Sequence, residues 1–352
     1  MRKITFAQAI NEAYIEAMQQ DKNAIAYGLG IDDPKGIFGT TLGLKERFGK
    51  ERVFDIPISE NAMTGVAIGA ALNGIRPIIC YQRMDFFLLA MDQLVNNAAK
   101  WSYMFGEESK VPITIRLIIG RGWGQGPTHS QSLQAWLAHI PGLKVVMPAT
   151  AYDAKGLLLS SIFDNNPVIY LEHRWLHNIS DQVPEKMYWV PLGKARIVKD
   201  GQDITIVSSS YMTLESIRAF NILKDYGIDA EIVDLRTIKP LDEETILSSV
   251  NKTGRVVIVD GAWRSFGISA EVFAVIAEKS YGALKCAPCR IAFPDTPTPT
   301  SWALSNYYYP RAVDIVAAVK EMFNITGVSK KKSSSCQNIP LDVPDKSFTG
   351  PF

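Results

Sequence analysis

The chain has 352 residues, room for two or three domains, and 47% of them are hydrophobic, enough for real cores. Its 37 Lys and Arg nearly cancel 36 Asp and Glu, so charge gives no footprint for nucleic acid or for an anionic membrane surface. The N-terminus lacks the unbroken apolar run and small-residue cleavage site of a signal peptide, and no apolar run approaches the roughly 18–20 residues that span a bilayer. A soluble cytoplasmic protein is the expectation.

In chain order, Thr5 and Gln8 have capping-box spacing, and Phe6, Ile10, Ala13 and Ala17 then share one helical face. Short apolar strands are expected at 24–27, 53–56, 78–81, 113–119, 144–147 and 168–171, bounded by Gly, Pro or Asp as doubly buried parallel strands are. Helical stretches at 62–73, 88–101 and 151–163 lie between them. Around 178–192 the pattern gives way to a polar, Pro-containing segment that reads as a linker. A second series follows, with strands at 204–208, 230–235, 256–259 and 290–292 and helices at 214–226, 243–250, 269–279 and 312–323. Such alternation predicts an α/β chain of two domains, each with its own sheet. From Ser329 onward a lysine and serine run and three prolines read as an extended or disordered tail.

Three segments could carry chemistry. The first, VFDIPISEN at 53–61, runs off a strand into a helix, with Ser59 as the N-cap. Ligands bind at the carboxyl ends of strands in open α/β sheets, which is where Glu60 falls; a carboxylate favoured by the helix dipole is the plainer reading. The second, GRGWGQGPTHSQS at 120–132, follows the strand 113–119. Its glycines let the backbone approach a ligand, yet it is neither a dinucleotide fingerprint nor a P-loop. His129 in this loop is a candidate acid, base or donor near neutral pH. His139, His173 and His177 are weaker candidates and have no metal-ligand neighbourhood. The third, YQRMDFF at 81–87, offers aromatic rings that pack either on a flat heterocycle or in the core.

Cys286 and Cys289 have C-x-x-C spacing without a second pair to complete a zinc site. Their surroundings, LKCAPCRIAFPD, read as the lead into a buried strand, so both are expected as small core residues.

Taken together with DQLVNNAAK at 92–100, HIPGLKVVMP at 139–148, DLRTIKPLD at 234–242 and KTGR at 252–255, these segments resemble the β subunits of the pyruvate, branched-chain 2-oxo acid and acetoin dehydrogenase first components. That family is transketolase-like, and the resemblance runs from about residue 3 to about 325. It implies two three-layer α/β/α domains: a pyrimidine-binding domain at 1–180, a linker at 181–193, a transketolase C-terminal domain at 194–326, and the tail at 327–352. It implies thiamine diphosphate as cofactor. Glu60 matches the glutamate that hydrogen-bonds the aminopyrimidine, Phe86 the aromatic on that ring with Ile58 and Gln82 nearby, and His129 the histidine beside the reacting carbons. Asp164 and Asn166, with carbonyls near residues 113 and 161, match a structural K⁺ position of some relatives. The Gly-Asp-Gly motif that holds diphosphate and Mg²⁺ is absent from this chain, so a separate α-type subunit is expected to supply it in an α2β2 assembly. The implied reaction is decarboxylation of a 2-oxo acid and acyl transfer to the lipoyl group of an acyltransferase. A two-chain transketolase-like or acyloin-type enzyme passing a two-carbon unit to a sugar or aldehyde is the alternative, and a silent scaffold subunit is the third reading. The chain departs from the family at Arg83, where an apolar residue is common, and at DGAWRSFG, 260–267, where an acidic Gly-Gly version is usual; an added charge beside the pocket would change the substrate.

Overall fold

The structure, a computed structural model, describes residues 1–120, 124–325 and 343–344. The strands are β1 (Arg2–Thr5), β2 (Ala24–Gly28), β3 (Val53–Asp55), β4 (Arg76–Tyr81), β5 (Thr114–Ile119), β6 (Lys144–Val146), β7 (Val168–His173), β8 (Ser180–Val183), β9 (Arg196–Lys199), β10 (Ile204–Ser208), β11 (Ala230–Asp234), β12 (Thr237–Lys239), β13 (Val256–Trp263) and β14 (Cys289–Phe293). The chain forms two compact units. One comprises Met1–Ile119, Leu133–Gly193 and Arg236–Pro240; the other comprises Gly120–Ser132, Lys194–Leu235 and the chain from Leu241 onward.

The first unit is built on a seven-stranded sheet of order β12-β6-β7-β5-β4-β2-β3. All its pairings are parallel except β12 on β6. The central strands β5 and β7 are buried at every position, which is why they read as mostly apolar runs with no polar alternation, interrupted by the paired charges Arg116 and Glu172. Gly28 ends β2 where only glycine fits, because a Cβ there would lie 2.2 Å from the Cys80 carbonyl oxygen. The capping box forms as read: the Gln8 amide donates to Thr5 Oγ1 at 3.2 Å, and the Thr5 amide donates to Gln8 Oε1 at 2.9 Å. The helix it opens, Phe6–Gln20, packs on the helix Ala151–Ile162. Fully buried Lys155 on the second helix is neutralised by Glu16 at 2.7 Å and Glu12 at 3.3 Å on the first.

The second unit carries a five-stranded sheet of order β14-β13-β10-β11-β9, parallel except for β9 on β11. The helices Tyr211–Leu223, Glu243–Thr253, Ile268–Lys279 and Ala312–Met322 bury their apolar faces in this unit. The last of these begins beside Arg311, whose guanidinium donates to Glu215 at 3.0 Å, to the Tyr211 hydroxyl at 2.8 Å and to the Val343 carbonyl at 2.6 Å.

Three expectations need revision. The segment read as a linker begins as a strand: β8 pairs antiparallel with β1, Arg2 against Val183 to Thr5 against Ser180. Further along it, the amide of buried Val190 donates to the Gly156 carbonyl at 3.2 Å, so the segment lies on the first unit. Periodicity missed β8 because a four-residue strand bearing Asp and Gln has no apolar signal. The units are also not contiguous in sequence, since residues 236–240 contribute β12 to the first sheet and residues 120–132 cluster with the second unit. Cys286 and Cys289 are half-exposed: Cys289 begins β14, an edge strand and not a buried one, and Cys286 lies in the segment before it. The stretch 88–101 is helical throughout, as expected, passing from a 3₁₀ turn, Leu88–Ala90, through a π-helical segment, Gln93–Ala98, into the helix Ala99–Met104. Most of the expected tail lies outside the described residues.

Candidate active site

In the first unit the loops leaving β2, β3 and β4 emerge side by side at the carboxyl edge, since β2 lies between β4 and β3. Side chains cross-link them. Asp55 Oδ1 accepts from the amides of Gly30 and Ile56, both at 2.9 Å, and Gln82 Nε2 donates to the Leu29 carbonyl at 3.1 Å. These bonds tie the Gln82–Phe86 segment to the loop that leads to Glu60.

Glu60 is the first residue of the helix Glu60–Leu72 and is 3% exposed. Its Oε2 is buried and has no hydrogen-bond partner among the described residues. A buried carboxylate oxygen left in that state costs free energy, so the position is built for a partner from outside the chain. Beneath it, the Tyr81 hydroxyl donates to the Glu60 carbonyl at 3.3 Å and meets Thr64 Oγ1 at 2.8 Å. Burial pushes the Tyr81 phenol up to about 12, with the Glu60 charge adding to the effect, so this hydroxyl stays protonated across the working range. Ile58 is 85% exposed and Phe86 38% exposed on the same edge, which leaves apolar surface beside the orphaned carboxylate oxygen. A carboxyl facing a ring nitrogen and a phenyl facing a ring plane are what an aminopyrimidine requires, and these residues fit that half of thiamine diphosphate.

His129 belongs to the second unit by its contacts and is half-buried. Its Nδ1 lies 3.0 Å from Thr128 Oγ1, a ring partner that the sequence reading did not single out. Gly126, at φ +68°, packs so tightly that a Cβ there would lie 2.5 Å from Thr300 Oγ1. Residues 121–123 of this glycine loop lie outside the described residues.

The other expected residues lie elsewhere. Asp164 and Asn166 precede β7, at the amino edge of the sheet and away from Glu60. Asp164 is ion-paired with Lys144, and its Oδ1 accepts from the Asn166 amide at 2.8 Å. The carbonyls of Ile162 and Asp164 accept from Arg76 at 2.7 and 3.0 Å, and that of Ser161 accepts from Thr114 at 3.0 Å. The polar groups expected around K⁺ are thus engaged within the chain. Among the described residues no group of three His, Cys, Asp or Glu could hold a metal ion. Arg83 is not displayed towards a ligand but is 5% exposed; burial lowers its pKa. His173 and His177 are buried, with His173 Nδ1 accepting from the Trp175 amide at 3.2 Å and His177 packed on Phe6 and Phe38.

Residues 2–178 match the family "Transketolase, pyrimidine binding domain", and residues 193–315 match "Transketolase, C-terminal domain". The chain is 43% identical over 330 residues to the acetoin:2,6-dichlorophenolindophenol oxidoreductase subunit beta of Cupriavidus necator, covering 91% of this chain and 97% of that one. It is 39% identical over 323 residues to the pyruvate dehydrogenase E1 component subunit beta of Bacillus subtilis, covering 92% of this chain and 99% of that one. Among solved structures, a split-gene transketolase described as an inactive beta4 tetramer superposes with a TM-score of 0.75 at 23% identity, over 92% of this chain and all of that one, a likeness of fold. Among the described residues no helix is long and apolar enough to cross a membrane. With both domains matched in order and relatives this similar along nine-tenths of its length, the chain belongs to the β-subunit family of the thiamine-diphosphate-dependent 2-oxo acid dehydrogenases.

Proposed function

We propose that Glu60, Ile58, Gln82 and Phe86 bind the aminopyrimidine half of thiamine diphosphate, and that an α-type partner supplies the diphosphate and Mg²⁺ half in an α2β2 complex. The observation that carries this reading is the buried Glu60 carboxyl with its unpartnered Oε2 at the carboxyl edge of the first sheet. When bound, the cofactor supplies the nucleophilic carbon and the electron sink that decarboxylation needs. Glu60 would hold a proton at a nitrogen of the bound pyrimidine. Phe86 fixes the ring plane, and Ile58 adds apolar cover that keeps water from the carboxyl. His129 orients the 2-oxo acid and moves a proton during acyl transfer, with Thr128 holding its Nδ1. The acceptor is the lipoyl group of an acyltransferase component, and the complex works in the cytoplasm. The absence of a Gly-Asp-Gly motif supports assigning Mg²⁺ to the partner. K⁺ at Asp164 and Asn166 belongs to the same reading, but there a cation must compete with Lys144 for the carboxylate.

A second reading rests on the 43% identity to an acetoin enzyme: the substrate is an acyloin, cleaved rather than decarboxylated. One preparation tests both. The chain is co-expressed with its α-type partner, thiamine diphosphate and Mg²⁺ are titrated by calorimetry, and turnover of pyruvate and of acetoin is followed with a dye acceptor and then with lipoamide. Binding by the complex, weak binding by the lone chain and lost turnover in Glu60→Gln are expected. A well-folded complex that binds no thiamine diphosphate removes the cofactor assignment.

A further inference from the structure

Two features of the sequence find no use in the site described above: the Arg264-bearing loop at 260–267 and the Cys286/Cys289 pair. Both border one cleft of the second unit, about 460 Å³, lined by Arg264, Ala270, Phe273, Pro288, Cys289 and Arg290. The two arginines hold each other across β13 and β14: Arg264 Nη1 donates to the Arg290 carbonyl at 3.2 Å, and Arg290 Nη1 donates to the Arg264 carbonyl at 3.3 Å. Each guanidinium has five N–H donors, and these bonds fix its direction while consuming few of them. Neither arginine forms an ion pair among the described residues. Asp295 acts on both only through space; its oxygens are taken by the Ser265 amide at 3.0 Å and the Ser265 hydroxyl at 2.6 Å.

Two cations lining one cleft without an ion-pair partner of their own repel each other, and a shared anion relieves that cost. Planar guanidiniums suit phosphate and carboxylate oxygens. Ala270, Phe273 and Pro288 give the remaining wall an apolar character. A cleft of this volume, with an apolar wall facing two convergent cations, has the size and mixed lining of a small-ligand site. We infer that it binds a small organic dianion, a phosphate ester or a dicarboxylate, with Arg264 and Arg290 gripping the anionic group and Phe273 flanking the organic part. This site does not depend on the thiamine reading, because every residue in it belongs to the second unit.

Cys289 lines the cleft and serves as a native reporter. Cys286→Ser and Cys336→Ser remove two of the other three thiols of the full chain; the third, Cys80, is fully buried, and burial pushes its thiol up to about 12. The rate of Cys289 alkylation by iodoacetamide is measured at fixed pH and ionic strength against phenyl phosphate and, separately, phthalate. A saturable slowing is expected, about tenfold at ten times the Kd, because the free fraction falls as 1/(1 + [L]/Kd). Slowing by phenyl phosphate alone makes the ligand a phosphate ester, and slowing by phthalate alone makes it a dicarboxylate. Arg264→Gln should abolish the protection while melting temperature stays unchanged, and Arg264→Lys should restore part of it. No slowing by either anion overturns the proposal, as does slowing that persists in both Arg264→Gln and Arg290→Gln or is matched by chloride.

Discussion

Arg116 Nη2 donates to both carboxylate oxygens of Glu172, at 2.6 and 2.8 Å, with both side chains wholly excluded from solvent. Arg116 Nη1 reaches the Tyr14 hydroxyl at 3.0 Å, and the His177 ring lies 3.7 Å from Glu172. The pair links β5 to β7 at the centre of the first sheet. Burial pushes the Glu172 carboxyl up, but Arg116 and then His177 more than offset this and leave it below its ordinary value. Burial is the main cause that lowers His177.

Both shifts are downward in the folded state, so each contributes stability that is present above the ordinary pKa and lost as pH falls. Melting temperature should first decline below about 6.5, where His177 would gain a proton on unfolding, and again below about 4.3, where Glu172 would. His177→Gln should remove the upper limb and leave the lower one. Arg116→Met strands a buried carboxylate and should cost about 3–5 kcal/mol. A melting temperature flat from neutral pH down to 5 would refute the assignment to His177.

Glu60→Gln should separate stability from function. The substitution keeps the shape and removes a buried charge whose Oε2 has no partner, an arrangement that costs on the order of 1–3 kcal/mol. Thermal stability of the free chain should therefore hold or rise. Turnover of the complex should fall by about 10²–10⁴-fold, the range for losing a positioned proton carrier. Wild-type turnover in Glu60→Gln would end the role proposed for this residue.

The pattern of short apolar strands alternating with helices carried most of the fold because buried parallel strands have a signal that composition alone reveals. What stayed hidden depends on partners distant in sequence. β12 joins β6 through residues nearly a hundred positions away, and β8 is a strand only because β1 offers it an edge. Glu60 stood out through its place after a strand, but its unpartnered oxygen is a fact of packing. The same holds for Arg83: its charge was legible, its burial was not.

Because K⁺ at Asp164 and Asn166 must first displace Lys144, potassium should have little effect on the wild-type chain. Lys144 already neutralises the Asp164 carboxylate, and Arg76 occupies the carbonyls of Ile162 and Asp164. Melting temperatures in KCl and NaCl at equal ionic strength should coincide for the wild type. Lys144→Met uncovers the carboxylate, and a K⁺-specific rise in melting temperature should then appear. A clear K⁺ preference in the wild-type chain would mean that the ion displaces Lys144.

Thr128 should act through His129. With its Oγ1 at 3.0 Å from Nδ1, the hydroxyl holds the rotation of the ring for the role proposed for His129. Thr128→Val keeps the branched shape and removes only the hydroxyl. A hydrogen bond of this kind contributes about 0.5–1.5 kcal/mol, so kcat should fall roughly 2- to 12-fold. KM should stay near its wild-type value, because the ring still occupies its place while spending less time in the productive orientation. Thr128→Ser restores the hydroxyl without the methyl and should recover most of the loss. Equal losses in Val and Ser variants would show that the methyl packs the loop and that the hydroxyl does not steer the ring.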